Sequence, residues 1–343
     1  MHLRRLSLAA LLLAGGCSSS AAPSFVAGTS PSAAPSVSSS PSASASASAS
    51  ASATSTAAVA ATPPVAPYVD VVSGTADIAA IQKATGQGDF AVAFVVADKA
   101  GTCTPTWDGT LAIGNAAVRA RLAKIDGDVI VATGGATGTY LESVCSAAGL
   151  ATAYGKALDV ADSNHLDVDI ERPVDNAVVS AALAKLQKSR RTAITLTLPV
   201  GDGTAGLTSA GIALLRSVAK AGVTVTVNAM TMNFAADGDW GTAMAAATEA
   251  VHDDLASVWT GKSDKQLYAM LGVTPMIGVN DTGPVTTLSD ARTLLGFATS
   301  KGLGFVRFWS VNRDNGDCDD GTLSATCSGV DQSDYAFTKL FAG

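Results

Sequence analysis

The sequence predicts an α/β fold: a single (β/α)8 TIM barrel, preceded by a signal peptide and a disordered linker of Ser, Ala and Pro. Apolar or β-branched runs alternate with Ala- and Leu-rich helical stretches throughout residues 67–343, which is an ordinary length for one barrel. Strict alternation implies a parallel sheet with right-handed crossovers. Eight repeats favour closure of that sheet into a barrel over the alternative, an open doubly wound sheet.

The eight predicted strands follow one another along the chain, at residues 68–72, 90–97, 129–133, 165–171, 193–199, 223–234, 267–275 and 304–310. The helical patterns among them cover residues 116–124, 140–158, 176–189, 206–221, 240–259 and 288–301. No Gly-x-Gly-x-x-Gly, the fingerprint of a dinucleotide-binding open sheet, follows the first strand. Because active sites of (β/α)8 barrels lie at the C-terminal ends of the strands, the last residues of each run are the functional candidates.

The first 66 residues are predicted to serve export rather than the fold. Two arginines precede an apolar run, residues 8–13, that is too short to span a bilayer. Small residues before Cys17 predict a signal peptide over residues 1–17 and membrane attachment through a lipidated Cys17, with ordinary cleavage and free secretion as the alternative. Either outcome would make the protein extracellular. Residues 18–66, almost entirely Ser, Ala, Thr and Pro, predict a disordered tether.

Composition narrows the possible partners and chemistry. The net charge of −7 argues against nucleic acid as a partner, because nucleic acid needs a basic surface. Only three histidines are present, so a histidine-based catalytic triad is poorly supplied. No Cys/His spacing indicates zinc, and no metal or cofactor is expected. Four cysteines besides Cys17 allow three pairings; we expect Cys103–Cys145 and Cys318–Cys327, because the second pair lies within one short loop.

The most specific pattern is in the fourth predicted strand. Alternate side chains of a strand share one face, so Asp167, Asp169 and Glu171 point together into the barrel. The residues between them are apolar and face the helices: Leu166, Val168 and Ile170. Confined like charges raise the pKa of a carboxyl, which would keep Glu171 protonated as a general acid. The alternatives are an exposed acidic edge strand and a calcium ladder, although calcium loops interleave Gly, Asn and Ser.

Together these motifs resemble the chitinases of glycoside hydrolase family 18. The family pattern Asp-Gly-x-Asp-x-Asp-x-Glu appears on the fourth strand with its last three acids in register. Ser-x-Gly-Gly appears as Ala-Thr-Gly-Gly at 132–135, and Met-x-Tyr-Asp appears as Met-Thr-Met-Asn at 230–233. The eighth-strand tryptophan is Trp309, and residues 272–281 are similar to the seventh strand of small bacterial members.

The resemblance implies a chitinase that hydrolyses β-1,4 bonds between N-acetylglucosamine units, with chitin or chito-oligosaccharides as the substrate. We expect the protein to be a monomer. In this family the substrate's own acetamido group is the nucleophile. Glu171 would protonate the leaving oxygen. Asp169 would hold the acetamido N–H and stabilise the oxazolinium ion, and Asp167 would share a proton with Asp169. Net retention of the anomeric configuration is therefore expected.

The resemblance also implies which residues bind the sugar. Trp309 would form the floor of the sugar site, with a core tryptophan at the barrel bottom as the alternative. The other implied contacts are Phe94, Gly134, Met230, Met232 and Asn233. The peptide bonds Ala93–Phe94 and Trp309–Ser310 are expected to be cis. Three further residues in strand-end loops either line subsites or anchor their loops: Trp107, Asp237 and Trp240.

Three residues depart from the family pattern. Asn164 replaces the first aspartate, which would be a partner of Asp167, and we expect a shifted pH profile. Met232 stands where many family members have a tyrosine that hydrogen-bonds the acetamido oxygen. Some small bacterial members carry this tyrosine two residues later, where this chain has Phe234, which also lacks the hydroxyl. Two alternatives therefore stay open: a weak or inactive barrel that binds N-acetyl sugars, and an endo-N-acetylglucosaminidase. The short link after the seventh strand predicts a shallow, open cleft and internal cleavage.

Overall fold

Eight parallel strands enclose the centre of the molecule in the computed structural model, which describes residues 61–343. The signal peptide, Cys17 and most of the predicted linker lie outside the described residues. Each strand pairs in parallel with the next one along the chain. The strands are β1 (Tyr68–Asp70), β2 (Phe90–Ala97), β3 (Val129–Gly134), β4 (His165–Asp169), β5 (Ala193–Asp202), β6 (Thr226–Met230), β7 (Leu271–Val273) and β8 (Phe305–Val306).

Backbone hydrogen bonds between β8 and the segment before β1 close the sheet. The Ala66 amide donates to the Val306 carbonyl at 3.1 Å, and the Val306 amide donates to the Pro64 carbonyl at 2.9 Å. The predicted (β/α)8 barrel is therefore confirmed. The linker boundary predicted at residue 66 is wrong, because Val65 and Ala66 are buried against the last strand and belong to the barrel.

The described residues form ten α-helices around the strands: α1 (Ile78–Thr85), α2 (Ala116–Leu122), α3 (Leu141–Val144), α4 (Ala147–Val160), α5 (Asn176–Arg190), α6 (Ser209–Lys220), α7 (Trp240–Val258), α8 (Asp264–Met270), α9 (Leu288–Lys301) and α10 (Ala336–Ala342). The predicted helix at 140–158 is two helices, because the backbone is extended at Cys145. The predicted seventh strand began too early. Ser263 and Gln266 form a capping box that starts α8, so residues 267–270 are helical.

Both predicted disulfides are present. Cys103–Cys145 joins the loop after β2 to the turn between α3 and α4, and Cys318–Cys327 closes the loop before α10. Residues 105–112 of the first loop form a short hairpin that extends β2. Trp107 is fully buried there and donates from Nε1 to the Ile113 carbonyl at 2.9 Å. This tryptophan therefore anchors its loop and does not line a subsite.

The main apolar core lies between the strands and the helices. The outward residues of β4 and its extension are buried in this layer, as the alternating pattern predicts: Leu166, Val168 and Ile170. The inward residues Asp167 and Asp169 are equally buried, at 0% and 4% exposure. One strand thus gives apolar surface to the helices and carboxyl groups to the barrel interior. No helix in residues 61–343 is both long and apolar enough to cross a membrane.

Candidate active site

A cavity of about 430 Å³ opens at the C-terminal ends of the strands. Two of the three predicted catalytic acids, Asp169 and Glu171, line it. Five of the six predicted sugar-binding residues line it as well: Phe94, Met230, Met232, Asn233 and Trp309. Asp167 and Gly134 are not part of the wall, so any role that they have in the site acts through their neighbours.

Asp167 lies beneath the cavity in a fully paired position. The Tyr68 hydroxyl donates to its Oδ2 at 2.5 Å, and the Thr197 hydroxyl donates to its Oδ1 at 2.6 Å. The Arg307 guanidinium forms an ion pair with Oδ2, with an N···O distance of 2.8 Å. The Asn228 amide holds this network from the next strand, donating to Tyr68 and Thr197 at 3.3 and 3.1 Å. These partners fix the orientation of the Asp167 carboxylate.

Asp169 has the opposite environment. Its Oδ1 is buried and has no hydrogen-bond partner among the described residues. Burial raises the pKa of Asp169 well above its ordinary value, and the negative charges of Glu171 and Asp167 raise it further. Asp169 therefore combines a raised pKa with an unused polar atom at the wall of the cavity.

Glu171 lies two residues beyond the end of β4 and is half-buried. Its amide donates to the Tyr140 hydroxyl at 3.1 Å, and that hydroxyl donates to the Gly135 carbonyl at 2.7 Å. Burial raises the pKa of Glu171; the Arg172 cation opposes this shift and the Asp281 carboxylate adds to it. The position favours a protonated carboxyl that faces the cavity, as a general acid requires.

Glycine is required where β3 ends beside Asp169. Gly134 and Gly135 have φ of 84° and 85°, in the left-handed region. A Cβ atom on Gly134 would lie 1.9 Å from the Asp169 carbonyl oxygen, and one on Gly135 would lie 2.8 Å from the Phe94 ring. Gly134 thus brings β3 against the catalytic strand, and its contribution is to the backbone rather than to direct sugar contact.

An aromatic surface forms one wall of the cavity. The rings of Phe94 and Trp309 stack with centroids 5.6 Å apart at 21°, and Tyr68 lies 6.0 Å from Trp309. Trp309 is half-buried and lines the cavity, so it is not a core residue at the barrel bottom. The bonds Ala93–Phe94 and Trp309–Ser310 are both cis, as the resemblance implies.

Asn233 joins two strand-end loops at the rim. Its Nδ2 donates to Asp281 Oδ2 at 3.0 Å, and its Oδ1 accepts from the Asp281 amide at 2.9 Å. Asp281, which sequence reasoning did not single out as a site residue, lines the cavity. Phe234 is outside the wall and packs on Trp240, with ring centroids 4.6 Å apart. Because its ring packs away from the cavity, the missing hydroxyl at Phe234 does not alter the site.

Two loop residues left open by the sequence are now placed. Trp240 donates from Nε1 to the Thr286 hydroxyl at 2.9 Å and is buried, so it anchors the loop before α7. Asp237 is exposed and does not line the cavity. Met232 lines the cavity with a thioether, at the position where many family members have a tyrosine hydroxyl.

The expectation that Asn164 stands beside Asp167 as its partner is wrong. Asn164 lies at the opposite end of β4, where its side chain donates to the Arg190 carbonyl at 3.0 Å and accepts from the Thr192 hydroxyl at 2.9 Å. It does not contact Asp167, whose charged partner is Arg307. The signal that could have revealed this partner is spacing, since residues two apart on a strand share a face and Arg307 precedes Trp309 by two.

Cleavage of a glycosidic bond needs an acid that keeps its proton and a surface on which a sugar ring can stack. Glu171 and the aromatic wall meet both needs at the catalytic end of a (β/α)8 barrel. The fold and the site therefore have the features of the glycoside hydrolase class.

Known proteins share the sequence and the fold. No protein-family model matches the chain. The chain is 34% identical over 308 residues to the probable bifunctional chitinase/lysozyme of Escherichia coli, a match that covers 81% of this chain and 34% of that protein. It is 33% identical over 273 residues to endochitinase 11 of Metarhizium anisopliae, a match that covers 73% of this chain and 52% of that protein. The chain thus spans about a third and about half of the lengths of these curated relatives.

A solved structure extends the match over nearly a whole domain. Active domain 2 of the thermostable chitinase from Pyrococcus furiosus, crystallised as catalytic-site mutants complexed with chito-oligosaccharides, aligns with a TM-score of 0.74. Sequence identity is 32%, and the match covers 82% of this chain and 94% of that one. The chain belongs to glycoside hydrolase family 18.

Replacing Gly134 tests the close approach of β3 to β4. We expect Gly134→Ala to lower the free energy of unfolding by about 3 kcal/mol or more, because the residue combines a left-handed φ with a backbone clash. Gly155→Ala is the matched control. Gly155 lies inside α4 with no atom within 4 Å of its added Cβ, so alanine should leave stability unchanged or raise it. Equal urea midpoints for the two variants would contradict the account.

Proposed function

We propose that the chain is a chitinase that hydrolyses β-1,4 bonds between N-acetylglucosamine units of chitin or chito-oligosaccharides by a substrate-assisted, retaining mechanism. The observation that carries the proposal is the contrast between two neighbouring acids. Asp169 presents an unpaired buried oxygen at the cavity wall, and Glu171 has a raised pKa at the mouth. The relatives, two of them named chitinases and one an endochitinase, support the same substrate class.

Glu171 supplies the acid of the first step. It donates its proton to the glycosidic oxygen while the acetamido carbonyl oxygen of the substrate bonds to C1 and the C1–O bond breaks. The products of this step are a shortened chain and an oxazolinium ion. Glu171, now a carboxylate, takes a proton from a water that attacks C1, which opens the ring and restores the acid. Two inversions at C1 give net retention.

Asp169 recognises the group that acts as nucleophile. A buried acceptor without a partner costs about 1–3 kcal/mol, and the acetamido N–H of a bound sugar is a donor that would satisfy Asp169 Oδ1. A sugar without the N-acetyl group brings neither this donor nor the nucleophile. Cellulose and starch should therefore not be hydrolysed.

The aromatic wall and the loops set the manner of binding. A sugar ring at the site would stack on Trp309, whose position is held by Phe94. After β7 only a short hairpin, residues 278–286, intervenes before α9, which favours an open cleft and cleavage inside the chain. Met232 cannot donate a hydrogen bond to the acetamido oxygen. Compared with a tyrosine at this position, about 2–4 kcal/mol of transition-state stabilisation is therefore missing, and turnover should be slower.

Substitution of the acid tests the proposal directly. We expect Glu171→Gln to lower kcat on a fluorogenic chito-oligosaccharide by about 10²- to 10⁴-fold, since the amide cannot give up a proton. Asp237→Asn, an exposed residue outside the cavity, should match the wild type. If the wild type binds the oligosaccharide but releases no product, the protein is a binding barrel and the enzymatic proposal is wrong. Release of glycans from a glycoprotein would instead indicate an endo-N-acetylglucosaminidase.

Asp281 should tune the pH range of the reaction. A like charge raises the pKa of an acid, so Asp281→Asn lowers the pKa of Glu171, and the general acid then loses its proton at lower pH. The alkaline limb of the kcat/KM profile should move to lower pH, by less than about one unit because Asp281 is exposed to water. An unchanged or upward-shifted limb, with Asp237→Asn as the charge-matched control, would contradict this assignment.

We also propose that the protein is exported and works as a monomer attached to the outer face of the cell membrane through a lipidated Cys17. Two disulfides in the catalytic domain support an oxidising compartment outside the cytoplasm. The basic start, the short apolar run and the small residues before Cys17 support lipoprotein processing.

Replacing Cys17 tests the anchor. In a bacterial host that processes lipoproteins, the full chain should partition with the membrane fraction, and Cys17→Ala should release it because no acyl chain can be attached. Chitinase activity per molecule should stay the same in both. Equal release of the wild type and the variant would mean ordinary cleavage and free secretion.

A further inference from the structure

Part of the cavity wall comes from β1 and from the hairpin that extends β2. The hairpin, residues 105–112, pairs with β2 and follows the Cys103–Cys145 disulfide closely in the chain. Asp70 ends β1, where its backbone pairs with Ala93 beside the aromatic wall. Asp108 belongs to the hairpin, and both aspartates line the cavity. Two carboxyl groups from neighbouring elements therefore flank the aromatic wall.

Asp108 occupies the turn of this hairpin. Its φ is 50° and that of Gly109 is 70°, the left-handed values that an Asp-Gly hairpin turn adopts. Its amide donates to the Phe94 carbonyl at 3.0 Å, which fixes the turn against the aromatic wall. The side chain is exposed, and within residues 61–343 its carboxylate has neither a hydrogen bond nor an ion pair. The backbone thus holds Asp108 in place while its carboxylate stays free for a ligand.

The charged groups of the cavity wall all have one sign. Five carboxyl groups line it: Asp70, Asp108, Asp169, Glu171 and Asp281. Of the wall residues that the structure describes, none is a lysine, an arginine or a histidine. Two cations lie behind the wall, and both act on its Glu171 side: Arg172 on Glu171 itself and Arg313 on Asp281. The hairpin side has no such compensation from the wall.

A neutral polymer leaves part of this negative charge without a partner. The proposed reaction employs Asp169 and Glu171, and Asp70 Oδ1 accepts hydrogen bonds from two amides of the turn after β1. A carboxylate in water is negatively charged at neutral pH, so Asp108 offers an unused anion at a wall that a ligand completes. The buried, unpartnered Oδ1 of Asp169 is the independent mark of that ligand. The complementary group on an amino-sugar polymer is the ammonium of a unit that has lost its acetyl group.

We propose that Asp108 is a specificity-determining residue that binds the ammonium group of a glucosamine unit, so that partially deacetylated chitin is preferred over fully acetylated chitin. The proposal rests on the proposed hydrolase function and names its substrate class more closely. The unit at the cleaved bond must keep its acetyl group, because that group is the nucleophile. A unit that reaches the hairpin is bound better without it. The preferred substrate is therefore a copolymer of the two sugars.

The position of glucosamine in the products tests this preference. Chitin with acetylated and free amino units in comparable amounts is digested in mildly acidic, low-salt buffer, and the products are sequenced by tandem mass spectrometry. At one position flanking the cleaved bond, glucosamine should be enriched about two- to fivefold over its share in the substrate, the range for one exposed ion pair. Added salt should reduce this enrichment, because it screens exposed charges.

Asp108→Asn separates the charge from the turn. Asparagine also adopts the left-handed conformation of this turn, so the hairpin should keep its shape while the enrichment disappears. Asp162→Asn is the matched control, because Asp162 has the same φ of 50°, is exposed and does not line the cavity. This control should keep the wild-type enrichment. Enrichment that survives in Asp108→Asn, or that salt does not change, would overturn the proposal, as would a wild type without enrichment at any position.

A binding measurement decides the role of Asp108 without turnover. In calorimetry on Glu171→Gln protein, at least one of the two chito-oligosaccharides with a terminal glucosamine should bind about two- to fivefold more tightly than the fully acetylated one of equal length. Adding Asp108→Asn should remove that difference, and equal affinities before it is added would overturn the proposal. If the wild type releases no product, the proposed hydrolase function fails, whereas these affinities still test the subsite.

Discussion

Electrostatic repulsion among the three acids of β4 and its extension constrains the rest of the site. Water hardly reaches the barrel interior, and two of these carboxyls are almost completely buried. Each acid meets the constraint in a different way: Asp167 pairs with a cation, Asp169 has a raised pKa, and Glu171 extends past the strand to the cavity mouth. Their different chemical roles follow from these environments, since all three carry the same functional group.

The surrounding elements serve to keep that arrangement in place. β3 must end on two glycines, because any Cβ on Gly134 would collide with the Asp169 carbonyl. Tyr140 then joins the two strands beyond their ends, bonding the Gly135 carbonyl and the Glu171 amide. On the far rim, Asn233 fixes Asp281, whose charge reaches Glu171. The cavity is therefore built from strand ends and short loops.

The sequence was sufficient for the barrel, the two disulfides and the acids of β4, because period-two alternation and β/α order are local patterns. The sequence was insufficient where the role of a residue depends on contacts with a strand on the opposite side of the barrel. The motif predicts Asn164 as the partner of Asp167, but Asn164 lies at the other end of the strand. The charged partner is Arg307, which directly follows β8 and is 140 residues away in the sequence. A capping box likewise turned the start of the predicted seventh strand into α8. No local sequence pattern predicts which side chains from opposite strands meet inside a barrel.

The stereochemistry of the first product is the most direct test of the central claim, that a neutral acid at Glu171 works with the substrate's acetamido group as the nucleophile. Proton NMR of the reducing end during early hydrolysis of a chito-oligosaccharide distinguishes the two outcomes before mutarotation. The account predicts that the β-anomer forms first and then equilibrates. Initial formation of the α-anomer would mean direct attack by water, and it would contradict the account.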